Sequence, residues 1–384
     1  MNAVNWRIPL ADIDFGAEEK AAVQATLDSG WLTMGERTRA FEDDFASLLG
    51  VRHGIAVTNA TAALHLACLA LDLGPGDEVI VPSLTFVATA ASICYTGAKP
   101  IFADIASDQN LNISIKSIES KISEKTRAIM VMHFAGYACD MPSILSIAKK
   151  YNLVVIEDAA HAPGAELHNK KLGTWGEVGC FSFFSNKNVV TGEGGMLVTN
   201  SDSIADRLRL LRSHGMTTLT WDRHRGHAWS YDVIALGYNY RIDEIRAAIG
   251  KIQLRKLKKN NERRRTLTSL YHNCLNELVP DVTIPFQKHP GISSCHILPI
   301  LLPPLINRVQ FMEQMKSRGI QTSVHYPPIH KFQYYRESDT APITLPVTEE
   351  VAAREVTLPL YPTLEPPAVE YVVRSVSDSI LELQ

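Results

Sequence analysis

The sequence predicts an α/β protein with a mostly parallel central sheet, helices on both faces, and a smaller C-terminal α/β unit. Three observations carry this expectation. From about residue 54 to 200, short apolar runs alternate with helical patterns, and strands joined through crossover helices lie parallel. Several runs are apolar at every position, as in strands covered on both faces. After Asn239 the pattern changes to one long helical stretch and then a Pro-punctuated tail.

The candidate strands, in order, are GIAVT (54–58), EVIVP (78–82), KPIFAD (99–104), RAIMVMH (127–133), LVVIED (153–158), VGCFSF (178–183) and GGMLVT (194–199). The stretch 241–278 reads as one long helix or two abutting ones, with apolar residues at Ile245, Ile249, Ile252 and Leu257, spaced by three to five. Its eight basic residues between 251 and 265 fit a solvated helix face better than an anion patch. CHILPILLP (295–303) reads as a strand, and INRVQFMEQMKSRG (306–319) as a helix ending on Gly319. At roughly 100–200 residues per domain, a chain of 384 residues divides into a large domain, 1–240, and a small one, 241–384.

Composition narrows the function classes. Apolar residues make up 46%, charged residues 21%, and the formal net charge is −3. That is ordinary for a soluble globular protein and points to neither a nucleic acid nor a membrane as partner. No uncharged apolar run approaches the ~20 residues of a membrane helix. The start, MNAVNWRIPLADIDFG, has neither the basic nor the apolar region of a signal peptide. The six cysteines form no CxxC pair, and several sit in apolar runs. Reduced, buried thiols in a cytoplasmic protein are the expectation.

In a parallel sheet, ligands sit at the carboxyl ends of the strands, and three segments there carry chemistry. In CFSFFSNKNVVTGEGGMLVTN (180–200) a strand runs out into a turn holding Ser185, Asn186 and Lys187, and TGEGG turns the backbone tightly before the next strand. In LVVIEDAAHAPGA (153–165), four apolar residues lead straight into Glu157 and Asp158. A carboxylate at the end of a buried strand is costly unless it is paired or hydrogen-bonded. In AVTNATAALHLACLALDLG (56–74) a strand stops at Thr58 and a helix begins near Thr61. Its free N–H groups and dipole suit a phosphate.

Each segment alone has a plainer explanation. Most lysines are solvated charges. Asp158 could equally ligate a metal or cap the helix that follows it, and every strand-to-helix turn has a positive end. Together they describe a pyridoxal phosphate site: a lysine for the Schiff base, a carboxylate to keep the ring nitrogen protonated, and a phosphate cradle.

At this point the chain resembles the DegT/DnrJ/EryC1/StrS aminotransferases, the sugar aminotransferases of fold type I. The likeness runs from SGWLTMGERTRAFEDDFA (29–46) to LPLYPTL (358–364) and includes TNATAALHLA, VPSLTFVATA, IEDAAHAPGA, FSFFSNKN, TGEGG and LGYNYRIDEIRAAIG. The resemblance makes Lys187 the Schiff-base residue and Asp158 the partner of the ring nitrogen. It assigns His161 to the ring hydroxyl, Ser182, Ala60 and Thr61 to the phosphate, and Phe86 to the ring face. It has Asn239 reach the neighbouring subunit's phosphate, which implies a homodimer with shared active sites. It sets His325 and His330, with Thr33, among the substrate residues. A metal role for the two histidines lacks an acid or cysteine at ligand spacing. His224 and His227 read as a surface or substrate loop.

The function the resemblance implies is transamination of a keto nucleotide sugar with L-glutamate as amino donor. TGEGG is more like the group that aminates C4 than the group that aminates C3. Sugar dehydratases of the same family carry histidine in place of the lysine, and Lys187 argues against that alternative. A non-catalytic regulator of the same fold is the other alternative, and the filled site positions argue against it.

Overall fold

The computed structural model describes residues 6–218, 230–338 and 342–384. The first half carries helices α1 (Ala17–Asp28) to α7 (Asp202–Arg212), with α2 (Glu36–Leu49), α3 (Ala60–Ala70), α4 (Val87–Cys94), α5 (Ile115–Lys121) and α6 (Met141–Tyr151) between them. Its strands are β1 (His53–Val57), β2 (Glu78–Pro82), β3 (Lys99–Ala103), β4 (Thr126–Met132), β5 (Val154–Asp158), the short β6 (Glu166–Leu167) and β7 (Lys170–Lys171), β8 (Val178–Ser182) and β9 (Gly195–Thr199). Seven of these form one sheet in the order β1-β9-β8-β5-β4-β2-β3. Only β9 runs against its neighbours, so six strands present their carboxyl ends at one edge.

Every candidate strand of the first half is present, with ends shifted by no more than a residue. The continuous apolar runs are explained by the alternation. Ala128, Met130, Ile156, Val178, Cys180 and Leu197 join the cluster beneath α3, α4 and α7. Ile129, Val131, Val155, Phe181, Met196 and Val198 join the opposite cluster, with Phe41 and Phe45 of α2 and Ile144 of α6. A strand buried on both faces leaves no position for a polar alternation.

The stretch after Asn239 forms a single helix, α8 (Glu244–Leu278). Its buried face is only partly the one marked by its apolar residues. Ile245, Ile249 and Ile252 are only half-buried, whereas Ala247, Ala248, Gly250, Gln253 and Leu257 are covered. Gly250 sets this face: a Cβ there would stand 2.6 Å from the Phe41 ring, so α2 packs against the helix where it has no side chain. The basic stretch is not uniformly solvated either. Arg264 is 3% exposed and donates to the carbonyls of His296 and Leu360, and Lys256 pairs with Glu19.

Beyond α8 lie β10 (Leu298–Leu301), α9 (Arg308–Ser317), α10 (Gln333–Ser338), α11 (Pro346–Arg354), β11 (Glu355–Leu358) and α12 (Pro366–Leu381). β10 and β11 pair antiparallel, and Leu267, Tyr271 and Leu275 of α8 pack with Ile300, Phe311, Val356 and Val372. β11 and α12 fall in what reads, in sequence, as a Pro-punctuated tail. His224 and His227 lie outside the described residues.

Glu244, the first residue of α8, fastens the N-terminus of α2. Its carboxylate accepts the N–H groups of Gly35, Arg37 and Thr38 at 2.8–2.9 Å and the Thr38 hydroxyl at 2.6 Å. Gly35 has no side chain to cap α2, so Glu244 takes that part from a distant position in the chain. Glu244→Ala is expected to destabilise the fold by about 2–4 kcal/mol, with Glu244→Gln recovering part of it. Urea unfolding followed by circular dichroism measures this, and an unchanged midpoint in Glu244→Ala would refute it.

Candidate active site

At the edge where six strands end lies a cavity of about 390 Å³. Its walls come from separate segments: Asn59, Ala60 and Thr61 after β1, Phe86 before α4, Asp158 at the end of β5 and His161 beyond it, Ser182 at the end of β8 and Asn186 and Lys187 beyond it, and His325 and Tyr326 from the second half. Lys187, Asp158, Ala60, Thr61, Phe86, His161, Ser182 and His325 thus line one cavity.

The phosphate-cradle geometry begins with Asn59. Its side chain accepts the Ala62 N–H at 2.8 Å and its carbonyl accepts that of Ala63. The first-turn N–H groups of Ala60 and Thr61 have no helix carbonyl to bond, and both residues line the cavity. Gly195 makes this turn possible. A Cβ there would lie 2.5 Å from the Asn59 carbonyl carbon and 2.8 Å from the Ala60 nitrogen. TGEGG therefore needs its last glycine for close backbone approach, while Gly192 takes a left-handed φ of 86°.

Asp158 is 4% exposed. Its carboxylate accepts the Thr89 hydroxyl at 2.8 Å and the Ala160 N–H at 3.1 Å. Burial pushes its pKa up, and those two hydrogen bonds and the Lys187 charge oppose the rise. Lys187 is pushed down to about 8 by burial, against the pull of Asp158. His161 is held well below the usual imidazole range by burial and by the Lys187 charge. Its Nε2 lies 3.0 Å from the Tyr326 hydroxyl, while Nδ1 is buried without a hydrogen-bond partner among the described residues, as is Asn186 Oδ1. A cavity with unpaired helix N–H groups, a carboxylate with capacity to spare, an orphaned imidazole nitrogen and a lysine amine fits pyridoxal phosphate end to end.

Three expected residues stand elsewhere. His330 is 3% exposed and off the cavity wall. One ring nitrogen meets Ser83 at 2.6 Å and the other Glu349 at 3.1 Å. With both nitrogens engaged, it ties α11 to the β2 end, which corrects its expected place at the substrate mouth. Thr33 is exposed between α1 and α2, outside the cavity lining. Asn239 is exposed too, its backbone bridged to Ser213, and does not line its own chain's cavity. Among the described residues no group of three or more His, Cys, Asp or Glu is set to hold a metal.

Sequence reasoning missed Thr89, Tyr326, Glu193 and His296. Thr89 lies inside a segment already singled out, VPSLTFVATA, and Tyr326 directly follows His325. His296 gives no local signal, because it meets Lys187 across 109 positions.

Gly195→Ala is expected to weaken cofactor retention by about tenfold or more, since overpacking of this kind costs about 1–3 kcal/mol and falls on the phosphate turn. The check is a titration of the cofactor-free chain with pyridoxal phosphate, with circular dichroism confirming the fold. Equal affinities would show that the turn tolerates the methyl group.

The DegT/DnrJ/EryC1/StrS aminotransferase family profile matches residues 14–377. The spore coat polysaccharide biosynthesis protein SpsC of Bacillus subtilis is 37% identical over 372 residues, 95% of each chain. PseC of Helicobacter pylori, an aminotransferase involved in the biosynthesis of pseudoaminic acid, superposes with a TM-score of 0.89 at 30% identity, covering 98% of this chain and 99% of that one. Spr1654 of Streptococcus pneumoniae in its PLP form gives 0.90 at 26% identity, over 98% and 99%. The chain belongs to the DegT/DnrJ/EryC1/StrS aminotransferase family and is a PLP-dependent sugar aminotransferase.

Proposed function

We propose that the protein aminates a keto sugar carried on a nucleotide, the 4-keto form in particular, with L-glutamate as donor. The observation that carries this reading is the meeting of Lys187 and Asp158 in one cavity beside the α3 N-terminus. The family's relatives in polysaccharide and pseudoaminic acid biosynthesis support a sugar as acceptor. The six cysteines, all free, fit a reducing, cytoplasmic setting.

When bound, pyridoxal phosphate supplies a protonated ring that accepts the electron pair released at the donor's Cα. The N–H groups of Ala60 and Thr61 and the Ser182 hydroxyl would hold its phosphate. Asp158 would keep the ring nitrogen protonated, with Thr89 holding that carboxylate in place. Phe86, 54% exposed in the single chain, would cover the ring face, and His161 would turn its unpartnered Nδ1 to the ring hydroxyl. Lys187 would carry the cofactor and, with its amine free, would be placed to take the Cα proton of glutamate and, in the second half-reaction, to give a proton to the sugar carbon that receives the amine. Its lowered pKa leaves a useful fraction as free amine near neutral pH.

The protein is expected to be yellow and to lose its visible band on borohydride reduction, with the pyridoxyl group mapping to Lys187. Attachment at another lysine would overturn the assignment. Incubation with UDP-, GDP- and dTDP-linked 4-keto and 3-keto sugars plus glutamate, read by mass spectrometry, should yield one amino sugar and 2-oxoglutarate. Conversion of only 3-keto members would reverse the regiochemistry, and conversion of none would overturn the acceptor class.

Asp158→Asn is expected to keep the cofactor, because the phosphate turn is intact, and to slow the half-reaction with glutamate by orders of magnitude. Wild-type rates in this variant would exclude Asp158 as the ring-nitrogen partner.

A homodimer with shared sites completes the reading. Asn239 is exposed on its own chain and flanked by Tyr238 and Tyr240, residues of a type enriched at interfaces. A bond from Asn239 of one protomer to the cofactor phosphate in its partner would improve retention about ten- to a hundredfold. Inactive Lys187→Ala mixed with an inactive Asn239 variant should regain activity after subunit exchange. No recovery with exchange verified would refute sharing through Asn239.

A further inference from the structure

His296 lies just before β10, 3% exposed, with its backbone clamped on both sides. Its N–H donates to the Ala135 carbonyl at 2.9 Å, and its carbonyl accepts from Arg264 at 3.1 Å. Its Nε2 is 3.3 Å from Lys187 Nζ and its Nδ1 is 3.0 Å from Asn188 Oδ1.

The hydrogen positions follow from two carbonyls that can only accept. Asn261 Nδ2 donates to the Pro163 carbonyl at 2.9 Å, which makes Asn261 Oδ1 an acceptor. Asn188 Nδ2 donates at 2.8 Å to that Oδ1 and to the Ser294 carbonyl. Asn188 Oδ1 is therefore the acceptor facing His296, and His296 Nδ1 carries the hydrogen. A neutral imidazole protonated at Nδ1 has its lone pair on Nε2, and that lone pair faces the Lys187 amine.

We propose that His296 is a positioning residue for Lys187: Asn188 fixes its tautomer, and its Nε2 accepts one N–H of the freed lysine amine. A neutral amine has two N–H bonds and one lone pair. With one N–H committed to His296, the lone pair and the other N–H are left for the cavity, where the proton is to be taken. Because Asn188 follows Lys187 directly, the lysine and the group that aims its acceptor move as one segment. The proposal rests on Lys187 as the acting lysine, and its test needs no cofactor.

Among the described residues, the other ionisable groups of the cavity are Asp158, His161, His325, Tyr326, kept a neutral phenol by burial, and the exposed Glu193, with Arg264 beside His296. Burial keeps the three histidines below the usual imidazole range, so Asp158 and the His296 acceptor are what favour the ammonium form. Loss of the acceptor removes a hydrogen bond that is stronger to the ammonium than to the amine. The Lys187 pKa must then fall.

The test is the pH dependence of Lys187 acetylation by acetic anhydride in the cofactor-free full chain, read by peptide mass mapping. The wild-type midpoint is expected near 8. His296→Leu should lower it by about one to two pH units, the weight of one hydrogen bond to a charged group. His296→Gln, whose carbonyl can stand in for Nε2, should restore most of the shift. An unmoved midpoint in His296→Leu, or equal shifts in both variants, would overturn the proposal. Nitrogen-15 spectra of the wild-type chain read the tautomer directly and do not depend on a variant folding. An Nδ1–H, Nε2-free pattern is expected for His296, and an Nε2–H pattern would overturn the proposal. Borohydride mapping tests Lys187 separately, so failure of one reading is distinguishable from failure of the other.

Discussion

Two consecutive carboxylates at the end of β5 impose the constraint around which this edge of the sheet is arranged. Glu157 and Asp158 point to opposite faces, and both are buried. Glu157 is fully satisfied inside the protein. It accepts the N–H groups of Gly173, Trp175 and Gly176 at 2.6–2.7 Å and His133 Nε2 at 2.9 Å. Those bonds draw the loop after β7 under the strand so closely that a Cβ on Gly176 would meet the Val155 carbonyl oxygen at 2.3 Å. Among the described residues Asp158 has two donors, Thr89 and Ala160, where a carboxylate can take about four. A buried anion with unused capacity is costly unless a partner arrives. The cavity side of β5 is therefore built to receive a cation, and the opposite side is built to hold the strand.

Much of this was legible in the sequence because the sheet sets the chemistry by position. A strand of continuous apolar residues must end at an edge, and polar residues immediately after it must gather there. That logic located Asp158, Lys187 and the Asn59–Thr61 turn without knowledge of their separation in space. It failed where long-range partners decide burial. The face of α8 was read from Ile245, Ile249 and Ile252, yet Gly250 faces the core because Phe41 occupies its missing side chain. Gln253, Asn261 and Arg264 are buried because backbone carbonyls of Asp14, Pro163, Leu360 and His296 accept from them. No local period encodes such partners.

The same limit separates His325 from His330, five residues apart in one segment. His325 is on the cavity wall, its N–H given to Glu355 and its Nδ1 2.8 Å from the Thr357 hydroxyl of β11. His330 is turned into the junction between the β2 end and α11. The fate of each follows from which strand it meets, and β11 was not visible in a tail broken by prolines.

The electrostatics of the cavity couple its two charged groups through what fills it. In the single chain, Asp158 raises the proton affinity of Lys187 while burial lowers it, and the balance stands near 8. A cation paired with Asp158 would neutralise the field that the carboxylate exerts on the lysine. Burial would then prevail, and the freed amine would be a weaker proton holder in a site where it must take a proton and give it up within one turnover. A neutral acceptor such as the His296 ring opposes this loss without a charge of its own, because its hydrogen bond persists when Asp158 is engaged. The carboxylate thus acts on the lysine while the ring position is open, whereas the imidazole acts on it both then and once the position is filled.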